Sequence, residues 1–250
     1  MCGKTEEEVY HTLGMEYIPH EMRENQGEID VALKKKLPKV IGYDSIKGDL
    51  HTHTTWTDGR ASTEEMVKAA VKMGYSYAAL TDHSQSLKIA NGLDEKKLLQ
   101  HIDEIHRVAE KYPEIHVLAG SEVDILPKGN LDYPDSLLKK LDFVIAAVHS
   151  RFKSPEGEMT TRILKALDNP YVTLLEHPSG RLINERSPYT FNFEKILDKA
   201  RERRIALEVN SNPNRLDLND GCIRRVIEND GKICITTDSH ALEHLQFMRY

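Results

Sequence analysis

With 250 residues, 39% of them hydrophobic and 30% charged, the chain has the composition of an ordinary soluble protein built as one large domain. No apolar run approaches the ~20 residues that cross a bilayer. A formal net charge of −6 argues against a surface that grips nucleic acid by bulk electrostatics, because neutralising phosphates takes a basic face. Cys2, Cys222 and Cys234 are odd in number and lie in no CxxC spacing, which speaks for a reducing compartment, the cytoplasm, rather than a disulfide framework.

Residues 1–46 read as an N-terminal helical connector. Thr5 and Glu8 form a capping-box pattern that opens a short helix through Val9 and Leu13, and Pro19 stops its continuation. A second helical run over 29–37 carries Lys34, Lys35 and Lys36 and ends at Pro38; the lysines read as a solvated helix face.

From residue 47 to 250 the pattern becomes regular. Apolar strand-like runs lie at 48–52, 77–81, 115–121, 143–148, 172–175, 205–209 and 232–237. Amphipathic helices separate them, among them 62–73 with its Ser62/Glu65 capping box and 96–111 with Leu98, Ile102, Ile105 and Ala109 along one face. Continuous apolar strands alternating with helices imply a parallel sheet covered on both faces. An open doubly wound sheet would collect its ligands at one switch point. Here chemically capable residues follow nearly every strand, which favours a closed α/β barrel whose strand ends share one mouth.

Those residues are His51 and His53, which period-2 geometry puts on one side of an extended chain, then Asp58, His83, Glu122, His149, His177, Asp238 and His240. Any one of them alone reads best as a structural histidine or a helix-capping acid. Nine at six of seven strand ends point to a multinuclear metal site, and imidazole with carboxylate but no thiolate suits Zn, Mn or Fe. The remaining histidines, His11, His20, His101, His106, His116 and His244, fall in the connector, on helices or before a strand, and no function is assigned to them. Arg181 and Arg215 follow strands five and six and can reach the mouth, where a guanidinium clamps phosphate at two points.

The order His51-Thr52-His53, Asp58, Thr81-Asp82-His83, Gly120-Ser121-Glu122, Ala147-Val148-His149-Ser150, Glu176-His177-Pro178 and Thr237-Asp238-Ser239-His240 resembles the PHP (polymerase and histidinol phosphatase) superfamily over 48–240. The stretches around Trp56-Thr57-Asp58-Gly59, Asp124-Ile125-Leu126-Pro127, His177-Pro178-Ser179-Gly180-Arg181 and Asn212-Pro213-Asn214-Arg215 resemble the C-terminal PHP domain of bacterial and archaeal family X DNA polymerases. The resemblance implies a distorted (β/α)7 barrel that holds three divalent ions (Mn²⁺, Zn²⁺ or Fe²⁺) on the nine residues named, with Arg181 and Arg215 as catalytic phosphate clamps. It further implies metal-dependent hydrolysis of phosphodiesters at single-stranded or gapped DNA 3′ ends, a 3′-to-5′ exonuclease and end-processing activity. The expected partner is an upstream polymerase domain in the same full-length chain, of which this sequence would be a piece. Two other readings remain open: a small-molecule phosphatase of the histidinol-phosphatase type, and a non-catalytic docking module of a polymerase stiffened by bound metal.

Overall fold

A computed structural model describes residues 3–249; Cys2 lies outside them. The chain divides into two compact units at Ser45/Ile46.

In the smaller unit, α1 (Glu6–Thr12) starts at Thr5, whose hydroxyl accepts from the Glu8 N–H at 3.3 Å. Half of the capping box forms: the Glu8 carboxylate reaches past Thr5 to the Lys4 N–H at 2.9 Å. Arg23 ties α1 to the segment after it, with Nη2 2.7 Å from the Glu6 carboxylate, Nε on the Ile18 carbonyl at 3.0 Å and the guanidinium over Tyr10 and Tyr17. The second helix, α2 (Glu28–Leu33), is shorter than the periodicity suggests. Lys34, Lys35 and Lys36 fall beyond its end as exposed residues, with Lys35 at φ +54°. They are therefore not a helix face.

The larger unit consists of β1 (Gly48–Asp49), α3 (Thr63–Lys72), β2 (Tyr77–Leu80), α4 (Glu95–Ala109), β3 (His116–Asp124), α5 (Asp135–Leu138), β4 (Phe143–Ala147), α6 (Glu156–Leu167), β5 (Leu174–Leu175), α7 (Phe193–Arg203), β6 (Ala206–Asn210), α8 (Asp220–Glu228) and β7 (Lys232–Thr236). All strands are parallel and neighbour one another in chain order. Beyond the ends of β1 and β7, Thr52 bridges Ser239, with His53 N–H donating to the Ser239 carbonyl at 2.8 Å and Ser239 N–H to the His51 carbonyl at 3.2 Å. The result is a nearly closed barrel of seven strands, as the alternation of strands and helices predicts.

Its distortion has a visible source. β3 pairs with β2 through His116–Ala119 and with β4 from Gly120 onward. At the changeover a Cβ on Gly120 would lie 2.9 Å from the Phe143 carbonyl oxygen, so only glycine lets the backbones approach. Because β3 runs on to Asp124, Glu122 sits within the strand instead of closing it.

Helices cover the barrel with their apolar stripes. Met66, Val67 and Ala70 of α3, Leu98, Ile102, Ile105 and Val108 of α4, and Met159, Ile163, Ala166 and Leu167 of α6 are buried at helical spacing. Burying one such leucine or isoleucine is worth about 1.5–3 kcal/mol, and it is this outer layer that leaves the strand ends free to carry polar groups. Among the described residues no helix is long and apolar enough to cross a membrane.

Candidate metal centre

The nine residues singled out in the sequence converge in the barrel mouth. Donor atoms of His53, Asp58, His83 and His240 lie within 4.8 Å of one another, as do those of Glu122, His149, Glu176 and His177, of His51, His53 and Asp238, and of His51, Glu176 and Glu208. Glu122 stands at the middle. Its oxygens are 3.2 Å from His53 Nε2, 2.7 Å from His83 Nδ1, 2.9 Å from His149 Nε2 and 3.6 Å from His177 Nε2. His51 Nε2 and His53 Nε2 lie 3.2 Å apart, and each is within 3.5 Å of Asp238 Oδ1.

Asp58 reaches the mouth because its loop is folded back tightly. A Cβ on Gly59 would sit 2.5 Å from the His53 carbonyl, so the close turn needs glycine. Asp82, fully buried, fixes the same loop by accepting from Thr54 N–H at 3.0 Å, Thr54 Oγ1 at 2.7 Å and Thr57 Oγ1 at 2.5 Å.

Carboxylates behind the imidazoles set their orientation. Glu208 lies 2.7 Å from His51 Nδ1 and accepts from the His177 N–H and the Thr236 hydroxyl, each at 2.5 Å. Asp124 is 3.1 Å from His149 Nδ1, and the Asp238 carbonyl is 2.9 Å from His240 Nδ1. With Nδ1 engaged in each case, Nε2 is left to face the centre, the arrangement by which metal-binding histidines are commonly held.

The electrostatics are those of imidazoles and carboxylates gathered in a buried space. Burial would raise the Glu122 and Asp238 carboxyls, but His83 and His149 around the first, and His51, His53 and Arg215 around the second, hold both well below the usual carboxylate range. Burial opposes protonation of His51, yet Asp238 and Glu208 beside it raise its pKa well above the ordinary value. Burial together with His240 and His83 pushes His53 down to about 4. Glu176 moves the other way, held well above the carboxylate range by burial and by Glu122.

Buried polar atoms here lack hydrogen bonds: Glu122 Oε2, both Glu176 oxygens, His53 Nδ1 and both His177 nitrogens. Buried polar groups are normally paired, and leaving one unpaired costs about 1–3 kcal/mol. A cluster of them built from imidazole and carboxylate donors fits divalent cations.

The two arginines part company. Arg215 Nε donates to Asp238 Oδ2 at 3.2 Å, and its Nη1 is buried without a partner. Arg181 Nε donates to the Arg215 carbonyl at 2.7 Å and its Nη2 to the Leu216 carbonyl. Arg181 therefore holds, through Nε and Nη2, the backbone of the loop that carries Arg215.

Sequence reasoning passed over Glu176, Glu208, Asp82 and Asp124 as members of the site, although each is a charge at or within an apolar strand run, which is a readable signal. It also set His101 aside. That ring is fully buried on the inner face of α4, stacked on Trp56 with centroids 5.0 Å apart and 3.4 Å from Asp82, so it backs the loop that bears Asp58. His11, His20, His106 and His116 are exposed, while His244 Nδ1 accepts from the His240 N–H at 3.3 Å.

The family model for the PHP domain matches residues 49–212, and the chain belongs to that family; with this mouth it is a metal-dependent phosphoesterase, a hydrolase. It is 41% identical over 245 residues to the DNA polymerase/3′-5′ exonuclease PolX of Bacillus subtilis (strain 168), covering 98% of this chain and 43% of that protein; the chain therefore spans less than half of that relative. It is 30% identical over 203 residues to a "Probable phosphatase" of Thermoanaerobacter sp. (strain X514), covering 77% of this chain and 78% of that one. Among solved structures, histidinol phosphate phosphatase from Lactococcus lactis subsp. lactis, in complex with zinc, L-histidinol and phosphate, aligns with a TM-score of 0.58 at 18% identity, over 81% of this chain and 92% of that chain. At that identity the likeness concerns the fold.

Proposed function

We propose that the chain hydrolyses phosphodiesters at DNA 3′ ends, as a 3′-to-5′ exonuclease and end-processing domain associated with a family X polymerase, acting in the cytoplasm. The observation that carries this reading is the 41% identity to PolX, which runs over nearly the whole of this chain. In this reading His51, His53, Asp58, His83, Glu122, His149, His177, Asp238 and His240 hold three divalent ions, Mn²⁺, Zn²⁺ or Fe²⁺. When bound, such ions polarise a phosphoryl group and lower the pKa of water.

The chain's own residues do the rest. Glu208 and Asp124 keep the Nε2 atoms of His51 and His149 turned toward the centre. The partnerless Nη1 of Arg215 donates to a phosphoryl oxygen as charge builds on it, and Arg181 holds the loop that presents Arg215. No side-chain nucleophile is required.

A phosphatase for a small phosphomonoester is the second reading, favoured by the "Probable phosphatase" relative, of which this chain covers 78%. A metal-stiffened docking module is the third, and the number of converging donors weighs against it, since a structural ion needs about four ligands in a closed shell.

The deciding experiment compares a 3′-unpaired DNA oligonucleotide with histidinol phosphate, with Mn²⁺, at low salt and micromolar enzyme. The acidic chain binds DNA with steep salt dependence. Stepwise shortening of the oligonucleotide with much weaker turnover of histidinol phosphate is expected. The opposite pattern would replace the exonuclease reading with the phosphatase, and inactivity on both with metal bound would leave the docking module.

A further inference from the structure

Among the described residues Glu176 is a carboxylate in the mouth for which neither oxygen has a hydrogen-bond partner. It follows β5 directly, and its side chain is completely buried. The groups that approach it are His177 Nε2 at 2.6 Å, His51 Nε2 at 3.0 Å and His149 Nε2 at 3.6 Å.

For two of these rings the carboxylates behind them decide what Nε2 can offer. His51 has its Nδ1 on Glu208 and His149 has its Nδ1 on Asp124, so the neutral tautomer that serves those bonds leaves a lone pair on Nε2. Glu122 adds a further carboxylate to the same group. Electron-pair donors thus converge on one another. No lysine or arginine ion pair reaches Glu176 among the described residues, and Arg215 is engaged with Asp238. A buried, unpaired carboxylate in such company is costly, and a cation between these donors removes the cost for all of them at once.

We infer that Glu176 is a metal ligand beyond the nine, donating a carboxylate oxygen to the inner position formed with Glu122, His149 and His177. That position then has two imidazoles and two carboxylates. An oxygen-rich set of this kind favours Mn²⁺ or Fe²⁺ over Zn²⁺ relative to a histidine-dominated one. The inference rests on the proposed metal centre and adds to it which ion the inner position prefers.

The test uses the full chain, stripped with a chelator and reloaded with Mn²⁺ alone or Zn²⁺ alone, for the wild type, Glu176→Gln and Glu176→Ala. Three quantities are read: ions per chain, retention of the weakest-held ion against a competing chelator, and melting temperature with and without metal. Both variants are expected to lose Mn²⁺ affinity at one position by about 10- to 100-fold or more, and Zn²⁺ affinity by less. The metal-free melting temperature of Glu176→Gln should be no lower than that of the wild type, because the amide introduces no charge among the acids, while the rise on adding Mn²⁺ should shrink.

A Glu176→Gln protein with wild-type Mn²⁺ affinity and an unchanged Mn²⁺ to Zn²⁺ preference overturns the inference and leaves the nine-residue centre standing. The same follows if its metal-free form melts lower while ion affinities stay put, since that is the behaviour of a structural carboxyl. A wild type that binds neither ion overturns both.

Discussion

The two sides of the mouth are built to different plans. His53, Asp58, His83 and His240 come from the turns after β1, β2 and β7, and two of them are open to solvent: Asp58 is 34% and His240 29% exposed. Glu122, His149, Glu176 and His177 belong to β3 and the ends of β4 and β5, and among them His177 is 2% and Glu176 0% exposed. The outer side is rich in imidazole and rests on a loop; the inner side is rich in carboxylate and rests on strands. An ion on the outer side should exchange readily, and one on the inner side slowly. Precision of position follows burial and strand support, while access follows the loop.

Removing a single donor from the inner side, or from the His51–His53–Asp238 group between the sides, breaks the centre. His149→Ala on the inner side and Asp238→Ala, between His51 and His53, are each expected to lower hydrolysis by more than about 100-fold, beyond the loss typical for the outer partner of a ligand. Circular dichroism should show the barrel intact, since strand-end groups contribute little to the apolar core.

Arg215→Ala is expected to cost about 100-fold or more in kcat, in the range for removing one preorganised donor to a developing oxyanion. Arg181→Ala should cost clearly less, because two of its nitrogens are engaged with the loop backbone. Equal losses in steady-state kinetics would put both guanidinium groups on the substrate.

Glu208→Gln sharpens the contrast between the sides. It should weaken inner-side metal retention by about 10- to 100-fold through His51 and the His177 backbone, with the ion among His53, Asp58, His83 and His240 unaffected in chelator competition.

His101→Ala should lower stability by about 2 kcal/mol through a cavity under Trp56 and loosen the outer ion. His106→Ala, on the exposed face of the same helix, should stay within about 0.5 kcal/mol in a denaturant melt.

How far these features could be read from the sequence depended on what kind of order carried them. The barrel was legible because β/α alternation is a periodic signal, and the nine donors because each stands at or beside a strand end. β1 and β5, of two residues each, shrank from longer apolar runs: Leu50 through Thr52 leave the ladder on the mouth side, while Val172 and Thr173 precede it at the opposite end. Glu208, inside β6, and Glu176, just past β5, were harder to see because a charge in an apolar run gains meaning only when its neighbours across the sheet are known. His101 required the phase of α4, in which position 101 faces inward beside Leu98 and Ile102 while 106 faces out. The use of Arg181 was not legible at all, because it depends on where two carbonyls of a distant loop end up.

The central claim is that the mouth is a multinuclear centre with unlike inner and outer positions, and its most direct test is the count of divalent ions per chain by elemental analysis after refolding in excess metal. The account predicts about two to three, since nine donors exceed what one tetrahedral ion can use, with one released by a mild chelator well before the others. One ion or fewer, or ions that leave together, would contradict it.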